Sequence, residues 1–103
     1  MSTKTLAGVE VHVDEEGYMK EVSQWTKEIA TEIANEENVV LTDKHFELID
    51  FLRNKVANGE TLTIRGIGKS GVVNAKEFYG MFPGAPLKKA TKIAGVPKPT
   101  SCI

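Results

Sequence analysis

The stretch "LTDKHFELIDFLRNKVANG", residues 41–59, constrains the fold more than any other part of the chain. Phe46, Ile49, Leu52 and Val56 recur at steps of three and four, the spacing that lines up one face of a helix. Thr42 can cap the start of that helix and Gly59 suits its end. An apolar stripe of this length has to be covered by other elements. With 103 residues, of which 41% are hydrophobic, the chain holds enough material for one compact domain with one modest core.

The flanking segments supply the cover. "TLAGVEVHVDEEG" alternates apolar and polar residues at Val9, Val11 and Val13 and offers a turn at Ala7-Gly8, which predicts a small β-hairpin. Val22, Trp25, Ile29 and Ile33 predict a first helix from about residue 20 to 35, with Trp25 as a core anchor. Beyond the second helix, Asn74 and Glu77 form a capping pair for a short helix over 75–81. Pro86 can open a last helix whose apolar side is Leu87, Ala90, Ile93 and Ala94, and Gly95 can end it.

"GIGKSG", residues 66–71, invites a phosphate-loop reading, but the first glycine of that motif would stand where the chain has Thr63. A flexible or tight connection is the better reading of these glycines. No apolar run approaches the ~18–20 residues needed to span a bilayer, and "MSTKTLAGVE" lacks the regions of a secretory signal. A soluble, cytoplasmic protein is expected. Cys102, His12 and His45 are the only Cys and His residues, too few for the common zinc frameworks, so no structural metal is expected.

The net charge of −1 hides an asymmetry: residues 1–60 carry −7 and residues 61–103 carry +6. From Phe78 onward Lys88, Lys89, Lys92 and Lys98 occur with no acid, which suits an acidic partner, RNA or an anionic sulfur species. The lone cysteine, Cys102, ends this stretch in "VPKPTSCI". Pro97 and Pro99 impose extended backbone there, so the thiol is displayed away from the body on a semi-stiff segment. Terminal fraying with an incidental cysteine is the alternative. His45, a lone histidine on the second helix, reads as a packing or surface residue rather than a catalytic base.

The end "KKATKIAGVPKPTSCI", with "EGYMKEVSQW", "LTDKHF" followed by "FLR", Arg65 with Lys69 four residues on, and "MFPGAP", resembles the DsrC/TusE family of sulfur-relay proteins. The resemblance runs from about Val9 to Ile103. It implies an α+β, mainly α fold: an N-terminal β-hairpin, a bundle of about four to five helices over residues 1–95, and a mobile C-terminal arm over 96–103. It implies that Cys102 accepts sulfur as a persulfide and passes it on, with Arg65, Lys69 and Lys98 as possible contacts of the arm or its anionic sulfur. Donor and acceptor proteins would be a TusBCD-like complex, a tRNA thiouridylase or a dissimilatory sulfite reductase.

The DsrC branch has a second cysteine eleven positions before the last, where this chain has Thr91, so the single-cysteine pattern looks like the TusE branch. The region between Arg65 and "MFP" is shorter than in typical members, and Phe46 stands where the family has tryptophan. The resemblance thus points to a sulfurtransferase-type carrier rather than a stand-alone enzyme. The cargo of such a carrier rides on the protein itself, so no organic cofactor is implied. Two alternatives stay open. One is an accessory protein similar to the sulfite reductase gamma subunit; the other is a regulator binding a partner or DNA without moving sulfur.

Overall fold

The computed structural model describes residues 2–97. Two strands, β1 (Ser2–Leu6) and β2 (Val9–Val13), pair antiparallel from Ser2 opposite Val13 to Leu6 opposite Val9. Their two-residue loop puts Ala7 at φ 52° and Gly8 at φ 77°. That double left-handed turn matches the twist of the strands it joins. Val11 and Val13 are buried as the alternation predicts, while Val9, at the tip on the same side, stays 45% exposed.

Five α-helices follow: α1 (Lys27–Glu36), α2 (Asp43–Ala57), α3 (Ile64–Gly68), α4 (Ala75–Met81) and α5 (Pro86–Ile93). The architecture is the expected hairpin plus a small helical bundle. α1 is shorter than its periodicity suggests, because residues 22–24 form a separate 3-10 turn and the helix begins only after Thr26. Thr26 is extended, and its hydroxyl accepts from the Ile29 amide as an N-cap. Val22 and Trp25 therefore do not share a helix with Ile29 and Ile33. Val22 is exposed, and Trp25 is freed to reach α5.

α2 starts and stops where its capping signals place it: Thr42 accepts from the His45 amide, and beyond Gly59 the Glu60 amide donates to the Lys55 carbonyl. The buried line is Leu48, Ile49 and Leu52 with His45, so Phe46 and Val56 flank the core rather than centring it. α3 corrects the reading of the glycine-rich stretch as a connection. Thr63 caps it by accepting from Gly66, and Ile67 is buried. Gly68 serves packing, since a Cβ there would lie 3.3 Å from the Ala75 amide nitrogen of α4. The Asn74 and Glu77 capping box opens α4 as expected.

α5 is laid across the bundle, against α1, α2 and α4, with Leu87, Ala90, Thr91 and Ile93 buried. The core gathers Leu6 and Val11 of the hairpin, Ile29 of α1, Leu48 and Leu52 of α2, Ile67, Phe78, Phe82 and Leu87 into one cluster. Among the described residues no helix is long and apolar enough to cross a membrane.

Candidate functional site

Cys102 and Lys98 lie outside the described residues. The site is therefore built from the parts of the fold that lead to them. α5 ends on a left-handed Gly95 at φ 69°. The Gly95 amide donates to Lys92 O at 3.1 Å and the Val96 amide to Thr91 O at 3.2 Å, the paired bonds of a Schellman motif. Val96 is fully buried, and Pro97, which follows it, is exposed.

A Schellman motif leaves later carbonyls to find their own donors. Here they find side chains. Trp25 donates from Nε1 to Ile93 O at 2.8 Å, and Arg53 donates from Nη1 to Ala94 O at 2.8 Å. Arg53 uses Nη2 on Val22 O at 3.0 Å, and its guanidinium carbon sits 4.4 Å from the centroid of the Trp25 ring. Burial lowers the guanidinium's proton affinity and nearby Asp50 acts in the opposite sense, while the charge faces the negative end of α5. The indole lies on Gly95 itself: a Cβ there would fall 2.3 Å from Trp25 Cδ1.

Arg65 and Lys69 sit on and just after α3, four residues apart and both exposed. Neither side chain makes a hydrogen bond or ion pair among the described residues, so both charges are available to an outside anion. The basic stretch from Phe78 is less free than its composition suggests. Lys89 donates to Glu37 O at 3.1 Å, and Lys92 approaches the Glu37 carboxylate at 3.9 Å. These two lysines serve the C-terminal end of α1, where positive charge is favoured. Lys88 remains exposed.

Thr91 faces inward, fully buried, with its hydroxyl donating to Leu87 O at 2.7 Å. His45 is 7% exposed and has both ring nitrogens engaged. Nε2 meets Met81 O at 3.0 Å and Nδ1 receives the Thr42 amide at 3.2 Å. A carbonyl can only accept, so the proton is on Nε2. The ring also meets Phe82 edge-on at 5.1 Å between centroids. His45 is a packing residue, and no general base is to be found in it.

A family model described as DsrC like protein matches residues 5–103. The chain belongs to the DsrC-like family. It is 39% identical to the sulfurtransferase TusE of Escherichia coli K12 over 93% of this chain and 95% of that protein. The solution structure of DsrC from Allochromatium vinosum superposes with a TM-score of 0.82 at 34% identity, covering 98% of this chain and 97% of the other. The oxidized gamma subunit of the dissimilatory sulfite reductase, DsrC, from Archaeoglobus fulgidus gives a TM-score of 0.82 at 28% identity, covering 99% and 100%. Nothing in the sequence marks a role for Arg53, although it ends the family-like segment "FLR". Its partners lie too far along the chain for any local pattern to reveal them.

Proposed function

We propose that this DsrC-like chain is a sulfur carrier that accepts sulfur as a persulfide on Cys102 and hands it to a partner protein in a cytoplasmic relay. The observation that carries the reading is the family match through residue 103, which takes in Cys102. The 39% identity to proteins named sulfurtransferase TusE supports it. In the transfer, the Cys102 thiolate attacks the outer sulfur of a donor persulfide. The donor's S–S bond breaks, its cysteine leaves as a thiolate, and Cys102 bears the new S–SH group. One S–S bond forms as one breaks, so no oxidant is consumed. Delivery repeats the exchange with an acceptor thiolate.

A free thiol has a reference pKa of about 8.5, so a partner site that favours the thiolate speeds loading. Arg65, Lys69 and Lys98 are the cations proposed to meet the anionic sulfur or the arm. A TusBCD-like donor and a tRNA thiouridylase acceptor fit the single-cysteine pattern. Likeness to the sulfite reductase gamma subunit at 28% identity favours, as a second reading, an accessory role beside such an enzyme. Thr91 in place of a second cysteine weighs against its full redox cycle.

The reduced protein, incubated with a cysteine desulfurase and L-cysteine, alone and with a TusBCD-type complex, is followed by intact and peptide mass. One added sulfur, removed by reductant, confined to the C-terminal peptide and absent in Cys102→Ser, is the expected result. No added sulfur under either condition overturns the carrier reading. Co-purification with a sulfite reductase that survives Cys102→Ser would then support the accessory one.

A further inference from the structure

Beyond the cysteine itself, a carrier depends on where its C-terminal segment starts. We propose that Arg53 and Trp25 are positioning residues: they hold Gly95–Pro97 in one direction, so that the last six residues reach a partner from a fixed base. This rests on the sulfur-carrier reading.

Ending a helix does not require such a clamp. α2 closes with the same motif at Gly59 and Glu60, yet no side chain donates to the Ala57 or Asn58 carbonyls among the described residues. At α5 the two corresponding carbonyls, Ile93 O and Ala94 O, each receive a donor from a different part of the chain. Arg53 also binds Val22 O and lies over the Trp25 ring. Three separate segments are thereby joined at the point where the chain leaves the core. Only an arginine fork serves Ala94 O and Val22 O together while stacking on an indole, because a lysine brings a single point donor.

The clamp acts on Val96, which is fully buried, and through it on Pro97, whose ring limits φ. Six further residues span at most about 20 Å when fully extended. A tether this short, started in a defined direction, confines its end to a small region and raises its effective concentration at a partner docked on the fold. The transfer served is the thiol–persulfide exchange given above, with no change in its balance.

Arg53→Lys and Trp25→Phe test the proposal, each checked for folding by circular dichroism. Two rates are compared: sulfur uptake by Cys102 from the protein-bound persulfide of a cysteine desulfurase charged with L-cysteine, through a relay complex where one is needed, and reaction of Cys102 with a small aromatic disulfide. Hydrogen exchange at the Val96 amide, which is bonded to Thr91 O, reports how firmly the clamp holds this turn. Protection of Val96 is expected to fall about tenfold, as loss of a hydrogen-bonded contact allows. Uptake from the protein donor should fall at least fivefold, with the small-probe rate within twofold of wild type. Unchanged Val96 protection in both folded variants overturns the clamp, whether or not the protein carries sulfur. Lowered protection with unchanged uptake, or equal losses in both rates, overturns its role in presentation. Wild-type protein that gains no sulfur overturns the carrier reading and with it the presentation role, while Val96 exchange still decides the clamp.

Discussion

The Trp25 indole rests on the α-carbon side of Gly95 so closely that a methyl group there would lie 2.3 Å from Cδ1, 2.7 Å from Cγ and 2.9 Å from the tryptophan's own Cβ. The contact joins the segment before α1 to the residue that ends α5. It also puts Nε1 in line with Ile93 O at 2.8 Å. Gly95 is therefore held by two independent requirements, a left-handed backbone and the absence of a side chain.

Gly95→Ala meets both requirements at once. Left-handed backbone costs a residue with a Cβ roughly 1–2 kcal/mol, and displacing a packed indole adds about 1–3 kcal/mol. The expected loss is about 2–5 kcal/mol, read as a lower midpoint in urea with an unchanged slope. A midpoint shift equivalent to under about 1 kcal/mol would contradict the packing described.

Thr42 and His45 form a reciprocal cap, in which Thr42 Oγ1 accepts from the His45 amide and His45 Nδ1 accepts from the Thr42 amide. Thr42→Ala should cost about 1 kcal/mol. In the neutral ring the proton is expected on Nε2, facing Met81 O, and long-range nitrogen–proton correlation spectra distinguish that tautomer from its opposite.

Arg65 and Lys69 are exposed and make no ion pair among the described residues. The double change Arg65→Glu with Lys69→Glu should leave thermal stability within about 0.5 kcal/mol of wild type. Its effect should appear in the rate of sulfur uptake from an acidic protein donor, and the wild-type advantage should shrink as salt rises. Equal uptake at low salt would remove both residues from the proposed site.

Lys92 and Glu37 stand 3.9 Å apart and remain partly solvated. Glu37→Gln should cost under about 1 kcal/mol, as partly exposed pairs do. Lys89, bonded to the Glu37 backbone carbonyl, keeps its partner in that variant. A double-mutant cycle with Lys92→Met, read by urea unfolding, isolates the pair.

Where structure rests on neighbours in the chain, the sequence was legible. The hairpin turn at Ala7-Gly8, the Thr42 and Asn74 caps, Pro86 at the start of α5 and Gly95 at its end all work through contacts a few residues apart, and each stands where its spacing predicts. The periodicity overextends the first helix because Val22 and Trp25 fit the helical period by chance. Thr26 broke the run by offering a better cap. The glycines of α3 read as loop because their reasons are contacts, Gly66 with the capping Thr63 hydroxyl and Gly68 with Ala75 of α4.

The site divides in the same way. The proposed roles of Cys102, Arg65 and Lys69 come from segments that resemble those of a known family. The clamp was not, since Trp25 meets Ile93 across 68 residues and Arg53 meets Ala94 across 41. The basic surface, too, was overcounted from composition, for Lys89 and Lys92 are committed to the end of α1. Sequence by itself determined the hairpin, the bounds of α2, α4 and α5 and which residue offers a thiol, because capping, periodicity and side-chain chemistry are local. Tertiary structure alone decided how the C-terminal segment is fastened to the core, because packing distant segments together brings an indole and a guanidinium to carbonyls that local structure had left unpaired.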